Sequence, residues 1–504
     1  MYTPTREGFL EKAKQGNLIP VWRELLADQD TPLCAYERMR QALRSRSEPA
    51  QTFLLESVEG GEHIARYSFL GSSPRAVLSS AGRTTTITSR DGNVETIGNR
   101  EPLSVLKEHL SKYRPVPDLS LPRFYGGAVG YIGYDAVAQF ERVPLCARGG
   151  TEWPDMMLAI TDTIVVFDRA RHTMKVVANA LVEEDPEKAY DDAVAAIDSL
   201  CRDLSTHVPH VMLDASGAAD EPEFRSNMTR DEFENAVMTA KEFIRAGDII
   251  QVVLSQRFET GTAGDPLDVY RALRSVNPSP YMFCLENGSR AIVGSSPEVH
   301  VRCEDGRVEL RPIAGTRPRS ADDAEDHRLA RELLADPKER AEHIMLVDLA
   351  RNDLGRVCEY GSVTVPELMV IERYSHVMHI VSDVTGRLRA DRDIYDLMRA
   401  TFPAGTVSGA PKIRAMEIIS ELEAGRRGPY AGAVCYFGYS GNLDSCIAIR
   451  TVLMDGDKSC VQAGAGIVAD SDPAAEYMET CNKARGMLKS LVLSRRFGEL
   501  RGKS

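Results

Sequence analysis

Asp336-Pro-Lys-Glu-Arg-Ala-Glu-His-Ile-Met-Leu-Val-Asp-Leu-Ala-Arg-Asn-Asp353 reads as a helix that begins on an acidic turn. Asp336 is placed to cap the free N–H groups, Pro337 suits the first helical position, and Glu339 falls where a capping box needs it. Ile344, Val347 and Ala350 or Arg351 follow at helical spacing and give one apolar face. Glu339, Glu342 and His343 are three and four residues apart, on one side of the first turns. Asp472-Pro473 opens a second segment of the same plan, with Glu476, Glu479 and then Lys483. If the two helix starts face each other, up to four carboxylates converge, a donor set for an oxygen-preferring cation such as Mg²⁺. Spacing alone leaves this open. The macrodipole favours glutamate at any helix start, and Glu-x-x-Glu recurs at Glu56/Glu59 and Glu184/Glu187.

At 504 residues the chain exceeds what one hydrophobic core organises, so two domains or one large elaborated domain are expected. A formal charge of −13 argues against a nucleic-acid footprint and against attraction to anionic membranes. The first residues are polar, without the apolar core of a signal peptide, and no run approaches the ~20 apolar residues that span a bilayer. Ten cysteines without a Cys-x-x-Cys pair fit reduced thiols. The expectation is a cytoplasmic enzyme.

Along the chain, Glu7–Ala27 and Leu33–Leu43 read as helical, and Phe53–Ser57 and Arg66–Gly71 as strands. Asp91-Gly92 marks a hairpin between Arg83 and Ile97. Phe124–Tyr134 is a glycine-dense strand pair, its glycines allowing close backbone packing. Ile164–Phe167 with Met174–Ala178 gives another hairpin, and Asp185–Leu200 a helix. Between Asp203 and Asn227 Ser, Pro, Gly and Asp dominate, a linker composition. The division is therefore 1–205, a linker over 206–226, and 227–504. The second part restarts with a capping box at Thr229/Glu232, an apolar stripe and a stop at Gly247. Asp248–Phe258, Val308–Ile313, Val377–Thr385, Ala431–Tyr439 and Ser445–Met454 read as strands, with a helix from Asp265. Strands and helices mix without a regular βα beat, which favours an α+β fold of large, mainly antiparallel β-sheets packed with helices.

Thr401-Phe-Pro-Ala-Gly-Thr-Val-Ser-Gly-Ala-Pro-Lys412 either presents backbone N–H groups to an anion, with Lys412 nearby, or is a tight turn into the helix Lys412–Leu422. It is not a P-loop, because no Gly-Lys-[Ser/Thr] closes it. Ala463-Gly-Ala-Gly466 lets a ligand approach the backbone, and Arg450 can pair bidentately with a carboxylate. His379, in an apolar strand, is either a satisfied core residue or an acid–base group. Together these features suggest a small polyanionic substrate held partly through Mg²⁺.

These stretches, with Gly247–Arg257, Gly294-Ser-Ser-Pro-Glu298 and Arg311-Pro-Ile-Ala-Gly-Thr316, closely resemble the chorismate-utilising enzymes, most specifically the large, component I subunits of anthranilate synthases. The matching blocks span nearly the whole second half in the family's order. The resemblance implies two closely associated subdomains, with 1–205 regulatory and 227–504 binding chorismate. It implies Mg²⁺ on Glu342 and Glu479, supported by Glu339 and Glu476, with Gly315, Thr316, Tyr430, Arg450, Gly464, Ala465, Gly466 and Lys483 holding the substrate. Glu298 would protonate the departing C4 hydroxyl as ammonia adds at C2, and His379 would assist the proton transfer that releases pyruvate and leaves anthranilate. Isochorismate-forming relatives carry a lysine base where this chain has Gln251, and alanine where it has Thr406. Relatives that aminate C4 place a nucleophilic lysine at the position of Ala314. These differences favour 2-amination, the first committed step towards L-tryptophan, over an isochorismate- or salicylate-forming or mutase-like reaction; a phenazine-type relative, which stops at 2-amino-2-deoxyisochorismate, usually fuses the amidotransferase to the same chain, and no such segment is expected here.

Leu54-Leu-Glu-Ser57 with Asn277-Pro-Ser-Pro-Tyr-Met-Phe283 resembles the family's pocket for inhibitory L-tryptophan. Ser57, Pro280, Tyr281 and Met282 would form its core, with Glu56, Asn277 and Cys446 beside it; read without the resemblance, these are a buried strand and a loop. A sensing paralogue without turnover is disfavoured by the presence of Glu298, Glu342, His379 and Glu479. No glutaminase nucleophile elbow is present, so the resemblance implies a separate glutamine amidotransferase subunit (component II) in a heterotetramer of two large and two small subunits.

Overall fold

A computed structural model describes residues 1–57, 66–150, 152–208, 223–261, 264–374 and 377–501. Among these residues the strands form two twelve-stranded sheets in which every ladder is antiparallel. The first runs from the edge strand Leu18–Leu26 through Thr173–Leu181, Thr163–Asp168, Tyr67–Ser72 and Gln51–Glu56. It continues through Tyr281–Asn287, Arg290–Ser296, Thr451–Asp455, Lys458–Ile467 and Gln251–Gly261. The second joins Ile313–Pro318, Val377–Arg387, Arg307–Leu310, Val299–Glu304, Leu443–Ile447 and Ala433–Gly438 to Gly127–Ile132, Met156–Thr161, Ala76–Ala81 and the hairpin Thr84–Ser89/Val94–Ile97. Each sheet takes strands from both sides of 206–226, joined where Met282 pairs with Glu56 and where Ala433 pairs with Ile132. Most of that stretch, 209–222, lies outside the described residues.

Side-chain alternation puts both faces of these strands to use. Phe53, Phe69, Phe283 and Leu285 of the first sheet meet Val129, Tyr131 and Tyr436 of the second, with Phe124 stacked on Tyr436 at 4.2 Å between ring centres. On the opposite face Leu54, Cys284 and Val293 pack under the helices Pro32–Ser45, Pro186–Leu204, Pro266–Val276 and Pro473–Arg501. Helices Pro102–Ser111, Pro337–Gly355 and Ile394–Thr401 cover the second sheet's outer side, and Lys412–Leu422 packs on Gln251–Gly261 of the first. The α+β class follows from this helix–sheet–sheet–helix layering. No described helix is long and apolar enough to cross a membrane.

Several elements differ from their sequence readings. Glu7–Ala27 is a short helix, Arg6–Lys12, followed by the strand Leu18–Leu26, because its β-branched and aromatic residues pair with Thr173–Leu181. Phe124–Tyr134 holds one strand, not two, and then a 3₁₀ turn. Its glycines do pack closely: a Cβ on Gly127 or Gly130 would lie 2.0 Å from a neighbouring strand's carbonyl oxygen. Val308–Ile313 is broken after Leu310, and both pieces pair with Val377–Arg387. Ser445–Met454 is also two strands, one in each sheet, turned at Arg450 with φ of 51°.

The capping box at Thr229/Glu232 and the left-handed Gly247 form as read. In the helix Pro337–Gly355, Asp336 accepts from the N–H groups of Lys338 and Glu339, but Glu339 pairs with Arg317 instead of returning to the cap. The buried stripe of this helix is His343, Leu346, Val347, Ala350 and Leu354, and Ile344 faces outward. His343 therefore turns away from the acidic side, its Nε2 2.6 Å from Ser382 Oγ. Burial lowers its pKa to about 4, so the ring is neutral and can occupy a core position.

Candidate active site

The strands Gln251–Gly261 and Lys458–Ile467 pair with Gln251 near Gly466, and the helices Pro337–Gly355 and Pro473–Arg501 begin over the same end. Between them and the loop through Thr406 lies a cavity of about 350 Å³. Gln251, Glu298, Glu342, Thr406, Tyr430, Arg450, Gly464, Gly466, Glu476, Glu479 and Lys483 all line it. Ala465 alternates to the other face of its strand and is fully buried. Gly315, Thr316, Glu339 and His379 are not wall residues.

Glu298 follows the strand Arg290–Ser296 across Pro297 and is held by its carbonyl, which accepts from Ile447 N–H at 3.0 Å. Burial raises its carboxyl pKa to about 7; Thr406, whose hydroxyl makes no hydrogen bond of normal geometry, and the Lys483 ammonium pull it back. This is the setting of a carboxylic acid that keeps its proton near neutral pH. Lys483 is itself held by the Gly464 carbonyl at 3.0 Å and by Glu479 at 2.7 Å. Burial lowers the Arg450 pKa, and among the described residues no carboxylate pairs with its guanidinium. An unpaired arginine in a cavity wall is built to receive an anion.

The acidic helix starts do meet over the cavity. Burial raises the pKa of Glu342, and the nearby charges of Glu339 and Glu479 add to it, while Gln251 Nε2 donates to its Oε1 at 3.3 Å. Burial and the Glu479 charge raise Glu476, against a contact with Ser471. Among the described residues no group of three or more His, Cys, Asp or Glu side chains is placed to hold a metal ion by itself. The donor set still fits a hard cation that takes one or two carboxylates and completes its shell with substrate and water. Mutual repulsion among these acids is what such a cation would relieve. Glu339 is drawn off to Arg317 at 3.2 Å.

His379 Nδ1 donates to the Gly315 carbonyl at 2.8 Å and lies 3.1 Å from Thr316 Oγ1, so those three residues form one unit beside the cavity. Burial lowers the histidine's pKa, and the Arg450 charge adds to the effect. Lys412 does not line the large cavity: its ammonium pairs with Asp353 at 2.6 Å and with the Thr401 carbonyl at 3.2 Å. The turn Thr401–Lys412 is instead pinned from below. Fully buried Arg427 donates to the carbonyls of Val407 and Val253, both at 2.7 Å, and to Glu423, which also accepts from Ser255.

A second cavity, of about 60 Å³, lies between the two sheets. Glu56, Ser57, Pro280, Tyr281, Met282 and Cys446 line it, whereas Asn277 is bonded to Ser295 outside it. Glu56 is already held by Arg169 and Tyr270, each at 2.6 Å. The Tyr281 hydroxyl donates to Asp444 at 2.8 Å, and Asp444 also faces Arg302 and Arg123.

A family model for chorismate binding enzymes matches residues 41–489. The chain belongs to the chorismate binding enzyme family. Among curated family members, anthranilate synthase component 1 of Acetivibrio thermocellus is 46% identical over 97% of this chain and 99% of its own length. That of Synechocystis sp. is 48% identical over the same shares. The crystal structure of anthranilate synthase component I from Streptococcus pneumoniae superposes with a TM-score of 0.76, at 38% identity, covering 86% of this chain and 93% of that one.

For this chorismate binding enzyme, sequence reasoning missed Lys338, Gln462 and Ser471 in the large cavity and Arg123, Arg302 and Asp444 in the small one. Lys338 lies one helical turn before Glu342, and Glu423 stands four residues before Arg427, so spacing held a signal for both. Arg123 is brought in by a loop, and no local pattern announces it.

Proposed function

We infer that this chain is an anthranilate synthase acting on chorismate at the large cavity. The observation that carries the reading is Glu298: a buried carboxyl near pH 7 facing a space that also holds unpaired Arg450 and three carboxylates. Arg450, Tyr430 and the Gly464–Gly466 backbone take the substrate's carboxylates and ring. Protonated Glu298 gives its proton to the C4 oxygen as the C4–O bond breaks and water leaves. Ammonia adds at C2, and the proton its nitrogen sheds returns to the Glu298 carboxylate. Gln251 is not a base and is engaged with Glu342, which suits a reagent that is already a nucleophile. His379, with Nδ1–H committed to Gly315, keeps Nε2 free to move the C2 proton as pyruvate departs. Mg²⁺, held by Glu342 and Glu479 with Glu476 nearby, supplies a Lewis acid for the substrate carboxylate.

A glutamine amidotransferase subunit supplies the ammonia in a two-plus-two heterotetramer; the relatives' name, component 1, supports a second component. L-Tryptophan occupies the small cavity, with its indole between Tyr281 and Met282, as a feedback inhibitor. The enzyme works in the cytoplasm, a reading that its composition supports. The test is the purified chain with chorismate, excess ammonium salt and Mg²⁺, following anthranilate fluorescence and pyruvate together. Equal yields, abolished by EDTA and restored by added Mg²⁺, are expected. Amination without pyruvate, or no chorismate consumption even with an amidotransferase partner present, overturns the reading.

A further inference from the structure

Arg427 stands behind the wall of the large cavity with 1% of its surface exposed. A guanidinium so deeply buried needs directed partners for its donors. Nε and Nη2 donate to Glu423 at 2.9 and 2.6 Å. Nη1 donates to the Val407 carbonyl and Nη2 to the Val253 carbonyl, each at 2.7 Å. Glu423 Oε1 also accepts from the Ser255 N–H and hydroxyl, both at 2.8 Å, and the Ser255 hydroxyl accepts from Gln462 at 2.9 Å. Val253, Val407 and Gln462 are all wall residues of the large cavity. A buried ion pair gives little net stability over an apolar pair of the same volume. What apolar side chains cannot supply is a planar fork that holds two backbone carbonyls at fixed spacing.

The two carbonyls belong to different pieces of the wall. Val253 lies in the strand Gln251–Gly261; its N–H donates to the Ser408 carbonyl at 2.9 Å, and its own carbonyl accepts from Arg427. Val407 closes the 3₁₀ turn Gly405–Val407, one residue before that backbone bond. Arg427 thus carries the attachment of turn to strand one residue further, up to Thr406. On the turn's other side a Cβ on Gly405 would lie 2.9 Å from Leu349 Cδ1. The Thr406 hydroxyl faces the Glu298 carboxyl and lowers its pKa against the effect of burial.

We propose that Arg427, balanced by Glu423, is a positioning residue that holds the Thr406 hydroxyl against the Glu298 carboxyl during turnover. The proposal rests on the reading of Glu298 as the general acid. Arg427 acts through the Val407 carbonyl and touches no reacting atom. As Glu298 gives up its proton it becomes a carboxylate, and a hydroxyl already fixed beside it stabilises that charge.

Arg427→Lys keeps a cation beside Glu423, but one ammonium cannot reproduce the fork that spans both carbonyls. In the full chain, assayed with ammonium salt, it should lower kcat about ten-fold, the scale of one lost hydrogen bond. KM for chorismate should not change, because Arg450 and the Gly464–Gly466 backbone are untouched. Thr406→Val should lower kcat by a similar factor, and the combination with Arg427→Lys by no more than either alone. Arg427→Met/Glu423→Met removes both buried charges together and should show the same loss in folded enzyme. Wild-type kcat in a folded Arg427 variant marks a merely structural ion pair and overturns the proposal, as do losses that add to that of Thr406→Val or fall on KM alone. A crystal structure of Arg427→Lys reads the clamp without turnover: the Thr406 hydroxyl should stand further from Glu298 than in wild type, and a superposable turn overturns the proposal. If wild-type enzyme makes no anthranilate, the acid role of Glu298 fails instead, and the position of Thr406 still decides the clamp.

Discussion

Glu298 is costly to the fold and useful for that reason. Its carboxyl pKa rises from an ordinary value to about 7 through burial, so ionisation destabilises the folded chain. Below about pH 4.5 both folded and unfolded forms are protonated and the cost is absent; it grows as pH rises and is complete above about pH 7. Glu298→Gln should therefore raise stability at pH 8 by about 3 kcal/mol and leave it unchanged at pH 4, while lowering turnover by about 10²–10⁴. Thermal melts at both pH values, beside the anthranilate assay, check both halves. In the wild type, kcat/KM at fixed free ammonia should fall as pH rises through about 7, because the acid must hold its proton. The sequence pointed to Glu298 through a family motif, but nothing local in Ser-Ser-Pro-Glu-Val told how deeply it is buried. His379 shows the same limit. Its strand was legible, whereas the bonds to Gly315 and Thr316 that fix its tautomer depend on a register across strands 63 residues apart.

At the scale of elements, the active site is a strand edge read by two helix starts. Gly466 has no room to spare: a Cβ there would lie 2.5 Å from Gln251 Nε2. Because that atom ends a flexible side chain, Gly466→Ala should fold with a melting point close to wild type while pushing Gln251 off Glu342. Glu342 then loses the donor that lowers its pKa. We expect activity to fall about ten-fold and to need more Mg²⁺, measured by titrating the metal in the assay. Gly464→Ala is the harsher contrast, since its Cβ would meet the Leu254 backbone carbonyl at 2.9 Å. Helices with caps, such as those after Asp336 and Thr229, were readable because their signals are local. The strands after Leu18 and Leu443 were misread because the first four residues of the one and all five of the other are buried, which erases the alternation that marks a half-exposed strand. The turn at Arg450 was hidden for a second reason: a non-glycine residue at positive φ gives no compositional warning.

The whole molecule places its two cavities at opposite ends of the same short segments. Tyr281 and Met282, at the small cavity, pair with Ser296 and Ser295, and the next two residues are Pro297 and Glu298 at the large one. Cys446 lines the small cavity, Ile449 and Arg450 line the large, and the chain between them passes from one sheet to the other. The crossings are tied to each other by Ile447 N–H to the Glu298 carbonyl at 3.0 Å and Ser295 N–H to the Arg450 carbonyl at 3.1 Å. A ligand that shifts the sheets about the small cavity would therefore move Glu298 and Arg450 together. Coupling of this kind is reciprocal in binding free energy. If tryptophan weakens chorismate binding about ten-fold or more, chorismate must weaken tryptophan binding by the same factor. Calorimetric tryptophan titrations of Glu298→Gln, which binds chorismate with little turnover, measure that factor with and without chorismate. Ser57→Ala and Met282→Thr should lower tryptophan affinity and leave kcat with ammonia unchanged, because neither side chain lines the large cavity. Equal tryptophan affinity in the presence and absence of saturating chorismate would mean that the two cavities are neighbours without being coupled.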